Sequence, residues 1–379
     1  MINQTQMNPQ IISVLGSHSA LDICRGAKNL GFKTLVVTQK GREKTYTEYY
    51  KTSFSRHTHA GGSQTFDTIG CVDECLILER FYDILKPEIQ DKLKSTIFIP
   101  NRSFEAYLKF DYESIKNKFN VPIFGNKYLL SLEERDQTPN QYNILQNAEI
   151  RFPKHFRDPQ SIDRLCIIKV SEKAREYERA FFLSSSYTEY KQKSNQMISS
   201  GKITQEALDK AIIEEFVLGA SVNFNFFYSP VSDRLELIGT DTRRQTNLEG
   251  ILRLPAISQS EILAGHSVTY EEAGHIAVTV LESLLEKAFE LGKRFIQATQ
   301  ELCPPGIIGP FALQSMITAG PPKKDIVVID VSARMPGSPG INATPYSTYL
   351  YGEPISMGMR VAMEIQAAIG LNKLNLILT

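Results

Sequence analysis

Residues 11–37 read IISVLGSHSALDICRGAKNLGFKTLVV, and this stretch sets the fold class. Ile11, Ile12, Val14 and Leu15 form a short apolar run that Gly16-Ser17-His18-Ser19 interrupts. Beyond it Leu21, Cys24 and Ala27 recur at helical spacing, and Gly31 stands where a helix stop belongs. Thr34-Leu35-Val36-Val37 is β-rich again. Strand, helix and strand in so short a span make one βαβ unit, which implies a parallel sheet covered by helices. Two more apolar runs, 75–78 and 96–99, read as further strands of that sheet, and residues 122–126 close the first domain.

Outward from this unit the pattern changes to mixed α+β. A helix is predicted over 129–146, then a strand over 165–170 that contains Lys169. A charge-dense segment, 172–179, separates it from strands at 181–183 and 212–217, with a helix at 205–211 between them. Residues 223–228 alternate polar and aromatic side chains and pair with 235–238 as a hairpin. Leu281, Leu284, Leu285, Ala288, Phe289 and Phe295 line one side of an amphipathic helix predicted over 278–297. Strands at 311–317 and 326–331 follow, joined through Ala319-Gly320-Pro321-Pro322.

The chain has 379 residues, a length that suits two or three packed subdomains. With 42% hydrophobic and 22% charged residues, wholesale disorder is excluded. Lys+Arg and Asp+Glu both total 42, so the net charge is zero and the usual argument for a nucleic-acid or anionic-membrane partner is removed. No run approaches the roughly 20 apolar residues of a membrane helix. The polar N-terminus lacks the signal-peptide pattern, and five cysteines argue against a disulfide framework, so a cytoplasmic location is expected.

Several polar residues stand where a buried strand should be apolar. Gln314 and Asp330 lie on either side of the Gly-Pro-Pro turn and would be neighbours on antiparallel strands. Two oxygen donors so placed suit Mg²⁺ shared with nucleotide phosphates; a solvent-facing glutamine and a strand-end aspartate are the plainer alternative. Lys169 on a half-buried strand needs an anion, either a nucleotide phosphate or Glu214 or Glu215 across the sheet. Arg334 stands beside the loop Met335-Pro-Gly-Ser-Pro-Gly340, and its fork suits a phosphate or acyl phosphate. Gly16-Ser17-His18-Ser19 sits at a strand-to-helix junction that favours an anion, with His18 better suited to substrate than to core. His57-x-His59 with Cys71 and Cys75 has the wrong spacing for the common zinc patterns, and His155, His266 and His275 have no local partners in sequence.

The segments Leu15-Gly-Ser-His-Ser-Ala-Leu21, Phe98-Ile-Pro-Asn-Arg-Ser-Phe104 and Phe124-Gly-Asn126 resemble the archaeal formate-dependent 5-formaminoimidazole-4-carboxamide ribonucleotide (FAICAR) synthetases. So do Arg243-Arg-Gln-Thr-Asn-Leu-Glu-Gly250, Pro304-Pro-Gly-Ile-Ile-Gly-Pro-Phe311, Ser332-Ala-Arg334 and Tyr351-Gly-Glu-Pro-Ile-Ser-Met-Gly358. The similarity runs in order from about residue 11 to 370.

The resemblance implies an ATP-grasp fold: an N-terminal Rossmann-like α/β domain (1–127) and an ATP-grasp region (128–379). Within the latter, 155–217 would be the central nucleotide-clamping lobe and 218–379 the C-terminal lobe. It implies a carbon–nitrogen ligase taking ATP, formate and the aminoimidazole carboxamide ribonucleotide (AICAR), with Mg²⁺ or Mn²⁺, and leaves room for a homo-oligomer. Carried over residue by residue, His18, Ser103 and Asn247 would contact AICAR. Gln314 and Asp330 would hold the metal, the family more often having Glu at the latter position. Lys169, Glu214 and Glu215 would serve ATP, and Lys169 with Arg334 would compensate moving charge. Two departures stand out: the segment after Lys169 contains no glycine, so that either its backbone amides still reach a phosphate or Lys173, Arg175 or Arg179 would do the neutralising instead, and Gln137 stands where a lysine is expected. They leave two other readings open, a ligase with another acid or amine and a nucleotide-binding paralogue without turnover.

Overall fold

In the computed structural model the described residues are 11–58, 64–134, 137–170, 181–265, 272–320 and 323–379; side chains of 55–58, 64–67 and 245–248 are excluded. The opening βαβ unit is present, with β1 (Ile11–Leu15), the helix Ala20–Asn29 and β2 (Lys33–Gln39). A hairpin of β3 (Ser53–Thr58) and β4 (Gln64–Ile69) follows, then β5 (Glu74–Leu78) and β6 (Ile97–Ile99). The parallel sheet runs β5-β2-β1-β6, so β1 is where the strand order changes direction. Its strands are apolar on both faces, as two helix-covered faces require.

A second, antiparallel sheet has the order β7-β10-β8-β9, from His155–Phe156 (β7), Cys166–Lys169 (β8), Phe181–Ser184 (β9) and Ile212–Glu215 (β10). Its core of Phe156, Cys166, Ile168, Phe182 and Ile213 is completed by Tyr190 and Met197 of the helix Tyr187–Ser199. The third sheet has five antiparallel strands in the order β13-β12-β11-β14-β15. These are β11 (Ala220–Ser229), β12 (Arg234–Gln245), β13 (Glu272–Ala277), β14 (Gly309–Thr318) and β15 (Asp325–Ser332). The alternation of β11 sends Val222, Phe224, Phe226 and Tyr228 into a core with Leu291, Phe295 and Phe311 under the helix Leu285–Leu302. Asn223 and Asn225 therefore face the other way.

The C-terminal helix Met357–Gly370 returns to the first domain and packs on Ala20–Asn29. The contact is backbone to backbone: a Cβ on Gly26 would stand 2.3 Å from the Gly358 carbonyl carbon. Gly358 N donates to Asp22 Oδ2 at 2.9 Å. The final residues also pair with the 123–125 segment, Ile123 N donating to the Thr379 carbonyl at 3.1 Å. The parallel-sheet core thus includes residues from both ends of the chain.

Two predicted helices differ. Residues 129–146 divide into a 3₁₀ turn, Lys127–Glu133, and a helix, Gln141–Asn147, because Pro139 can neither donate a backbone hydrogen bond nor sit inside a helix, while Asn140 caps a new start. The helix expected at 278 begins at Leu285, since Val278, Thr279 and Val280 are β-branched and hold an extended approach, and it continues to Leu302. Among the described residues no helix is long and apolar enough to cross a membrane.

Candidate active site

The carboxyl ends of β1 and β6, neighbours at the point where strand order reverses, form a crevice of the kind that receives ligands in open α/β sheets. After β1 the chain turns through Ser17 and His18, both at positive φ (104° and 55°), a conformation uncommon for residues with a side chain. Tyr46, which is buried, accepts from Ser17 N at 2.5 Å. After β6, Asn101 donates to the carbonyls of Leu15 and Ser17 at 3.0 and 3.3 Å and caps the helix Arg102–Tyr107, which carries Ser103. The His18 ring fits against Gly337, where a Cβ would lie 2.4 Å from Nε2. Burial, reinforced by Arg334, lowers the His18 pKa from 6.5 to about 4, so the ring is neutral at physiological pH.

Arg334 joins this crevice to the third sheet. Its Nη1 donates to Ser332 Oγ at 2.6 Å and its Nη2 to Glu133 Oε2 at 2.9 Å, while Nε lies 2.8 Å from Glu105 Oε1 without the alignment of a hydrogen bond. Arg102 meets the same two carboxylates, at 2.8 Å from Glu105 and 3.2 Å from Glu133. Complete burial pushes the Glu105 carboxyl up to about 7 despite both guanidinium groups.

The free face of the third sheet carries a polar row. Asp241 stands opposite Asn223, Asn223 opposite Gln314, and Gln314 opposite Asp330, on four adjacent strands. Directly opposed residues share a face, so all four side chains project together. Gln314 and Asp330 are half-buried, whereas Asn223, Asn225 and Asp241 are buried. Asp241 accepts from Asn225 Nδ2 at 2.6 Å and Asn223 Nδ2 at 3.1 Å, and contacts His275 Nδ1. His275 Nε2 bonds Glu272 Oε1 at 2.7 Å. Burial alone would lower the His275 pKa, but the two carboxylates raise it from 6.5 to about 9. Arg243, opposite His275 in register, donates from Nη2 to Gln314 Oε1 at 2.8 Å.

The second sheet contributes Lys169, whose ammonium pairs with buried Glu214. Tyr142 donates to the other Glu214 oxygen at 3.3 Å, and His155 Nε2 lies 3.6 Å from it. The residue before Tyr142 reaches the opposite lobe: Gln141 Oε1 accepts from Val331 N at 3.0 Å, next to Asp330. Two consecutive residues therefore link the Lys169–Glu214 pair to the Gln314–Asp330 strands.

The sequence-named residues fall into three groups on this frame. His18 and Ser103 line the α/β crevice, with Arg334 at its junction to the third sheet. Gln314 and Asp330 lie side by side on the polar face. Lys169 and Glu214 sit on the second sheet, while Glu215, one residue on, points to the opposite face, toward Lys154 N at 3.3 Å and Arg164 at 3.8 Å. The side chains of Asn247 and His57, and His59, His266, Lys173, Arg175 and Arg179, lie outside the described residues. Gln137 is half-buried, its N–H bonded to the Glu134 carbonyl at 3.3 Å. Asp241, Asn223, Asn225 and Glu272 do not stand out in the sequence; the Asn-Phe-Asn-Phe alternation of 223–226 is the signal that could have found them. His155 and His275 do have partners: Glu214 and Asp241 arrive through strand register, while Glu272 stands only three residues before His275 and corrects the expectation that this histidine has no local partner. Among the described residues no group of three or more His, Cys, Asp or Glu could hold a metal, so a cation here would rely on the amide and carboxylate of Gln314 and Asp330.

Known proteins align over nearly the whole chain. A family described as "Protein of unknown function (DUF1246)" matches residues 12–156, and one described as "Domain of unknown function (DUF1297)" matches residues 189–379. A protein of Methanopyrus kandleri named 5-formaminoimidazole-4-carboxamide-1-(β)-D-ribofuranosyl 5'-monophosphate synthetase is 35% identical over 370 residues, covering 97% of this chain and 94% of its own. A protein of the same name from Methanocaldococcus jannaschii is 36% identical over 372 residues, with the same coverage. The crystal structure of an IMP biosynthesis protein PurP from Thermococcus kodakaraensis superposes with a TM-score of 0.71 at 26% identity, covering 97% of this chain and 100% of that one. An ADP complex of PurK, N5-carboxyaminoimidazole ribonucleotide synthetase, superposes at a TM-score of 0.57 with 12% identity over 92% of this chain and 78% of that one, a likeness of fold alone. The fold is ATP-grasp, preceded by a Rossmann-like domain.

Proposed function

Since the chain belongs to the family of 5-formaminoimidazole-4-carboxamide ribonucleotide synthetases, ligases of purine biosynthesis, we propose that it formylates AICAR to FAICAR with ATP and formate. The observation that carries this reading is the Gln314–Asp330 register pair, linked through Gln141 and Tyr142 to Lys169 and Glu214. The two halves of a nucleotide clamp are then joined by two adjacent residues.

A formate oxygen attacks the γ-phosphorus of ATP, the bond to the bridging oxygen breaks, and its electron pair leaves on ADP. The AICAR amine then attacks the carbonyl of formyl phosphate, and phosphate departs with the carbon–oxygen electron pair and takes the amine proton. Such chemistry asks the protein for position and charge rather than a covalent group. Lys169, kept at the site by Glu214, exchanges that carboxylate for phosphate oxygens. His18, neutral and pressed on Gly337, and Ser103 orient AICAR in the α/β crevice, and Asn247, carried by the helix Thr246–Leu252, would add a further contact to it. Gln314 and Asp330, on adjacent strands, would hold Mg²⁺ or Mn²⁺ through one amide and one carboxylate oxygen, a donor set that suits a hard cation. When bound, the metal neutralises phosphate charge. Arg334, between Glu133 and Glu105, holds the crevice and the sheet in one arrangement and adds positive potential there.

The test is phosphate release from ATP in the presence of AICAR, with and without formate. Release that requires formate supports the assignment. Release with another acid in place of formate, or ATP binding with no release, overturns it.

A further inference from the structure

The polar face carries more machinery than the amide–carboxylate pair uses. Arg243 extends along it from β12 to β14, and its only described hydrogen bond is to a neutral group, Gln314 Oε1 at 2.8 Å. Its Nε is sealed from water and lies 3.4 Å from Glu272 Oε2 without forming a hydrogen bond. The other cations described around the site face carboxylates, Arg102 and Arg334 both meeting Glu105 and Glu133 and His275 meeting Asp241 and Glu272, while Lys169, beside Glu214, is the one assigned to phosphate. Arg243 is the guanidinium whose fork is held by the least competitive partner.

Its surroundings are built to fix it. His275 stands beside it in register, bonded on one nitrogen to buried Asp241 and on the other to Glu272. Asp241 is itself clamped by Asn223 and Asn225. This chain of bonds sets where Glu272 stands, and Glu272 flanks the arginine. Gln314, at the other end, is the neighbour of Asp330. A planar carboxylate received by the Arg243 fork would lie next to the pair that faces the triphosphate, which is where the attacking acid must be.

We propose that Arg243 grips the carboxylate of the acid substrate, and that Asp241, His275 and Glu272 are positioning residues that hold the arginine there. The inference rests on the ligase reading above and identifies its acid subsite. Two measurements separate the two. Binding of [¹³C]formate to the full-length protein with ATP and AICAR is followed by NMR line broadening, and steady-state phosphate release gives KM for each substrate. In Arg243→Met the formate broadening should disappear and KM for formate should rise at least tenfold, with KM for ATP and AICAR within about twofold of wild type; Arg243→Lys should recover some of the formate affinity. His275→Gln should raise KM for formate several-fold and leave kcat nearly unchanged. Unchanged formate binding in Arg243→Met, or a rise confined to KM for AICAR, overturns the proposal while leaving the ligase reading intact. Wild-type protein that binds no formate and releases no formate-dependent phosphate overturns both.

Discussion

Replacing His275 with Gln should remove a pH-dependent share of the stability. The imidazole lies between Asp241 and Glu272, which hold its pKa at about 9 against 6.5 for a free ring, even though burial opposes the charge. Carried over that interval at about 1.4 kcal/mol per pH unit, the cation would contribute roughly 3 kcal/mol. Glu272 is 45% exposed, so water screens some of the attraction and about 2 kcal/mol is the reasonable figure. A group with a raised folded-state pKa contributes fully below its unfolded value and ceases to contribute once the pH has climbed through the folded one. The other groups facing the ring do not blur this window: His18 is already neutral, since it titrates near about 4, and arginine keeps its charge throughout. Urea denaturation of wild type and His275→Gln at about pH 6, 7.5 and 9.5 gives the comparison. The wild-type advantage should be largest at the lowest pH and shrink by about 2 kcal/mol at the highest. An advantage that stays constant across the series would refute the reasoning, because it would mean the ring is not held as a cation.

Two glycines offer independent checks. Gly26→Ala should lower the melting temperature by an amount equivalent to about 1–3 kcal/mol, since the new methyl collides with the Gly358 backbone and pushes the packed helices away from each other; unchanged melting would contradict that packing. Gly337→Ala should displace His18 and raise KM for AICAR several-fold while ATP binding, followed by calorimetry, stays as in wild type; equal loss of ATP binding would mean the loop serves the nucleotide instead.

Local pattern makes much of this legible. The βαβ unit at 11–37 and the 311–331 hairpin follow from apolar runs bounded by glycine and proline, and the hairpin's register aligns Gln314 with Asp330. Alternation separates Glu214 from Glu215 onto opposite faces, but which of them meets Lys169 is decided by the β8–β10 register, which favours the former. The rest depends on distance along the chain. Only half of the His275 setting is local: Glu272 is three residues away, but Asp241 is 34 positions away and arrives through the β12–β13 register. The Arg334 cluster needs Glu105 and Glu133 from elements with no local link to it. Helix ends depart from expectation where one residue type outweighs periodicity, at Pro139 and at the β-branched approach to Leu285.

The assignment depends on a divalent cation being shared by the Gln314 amide, the Asp330 carboxylate and the ATP phosphates. Electron paramagnetic resonance titration of Mn²⁺ with ATP, on wild type and Asp330→Asn, measures that site without requiring turnover. Wild type should take up Mn²⁺ in an ATP-dependent manner, and the variant should bind it at least tenfold more weakly, with formate-dependent phosphate release down on the order of a hundredfold. Equal Mn²⁺ affinity in the two proteins would contradict the account.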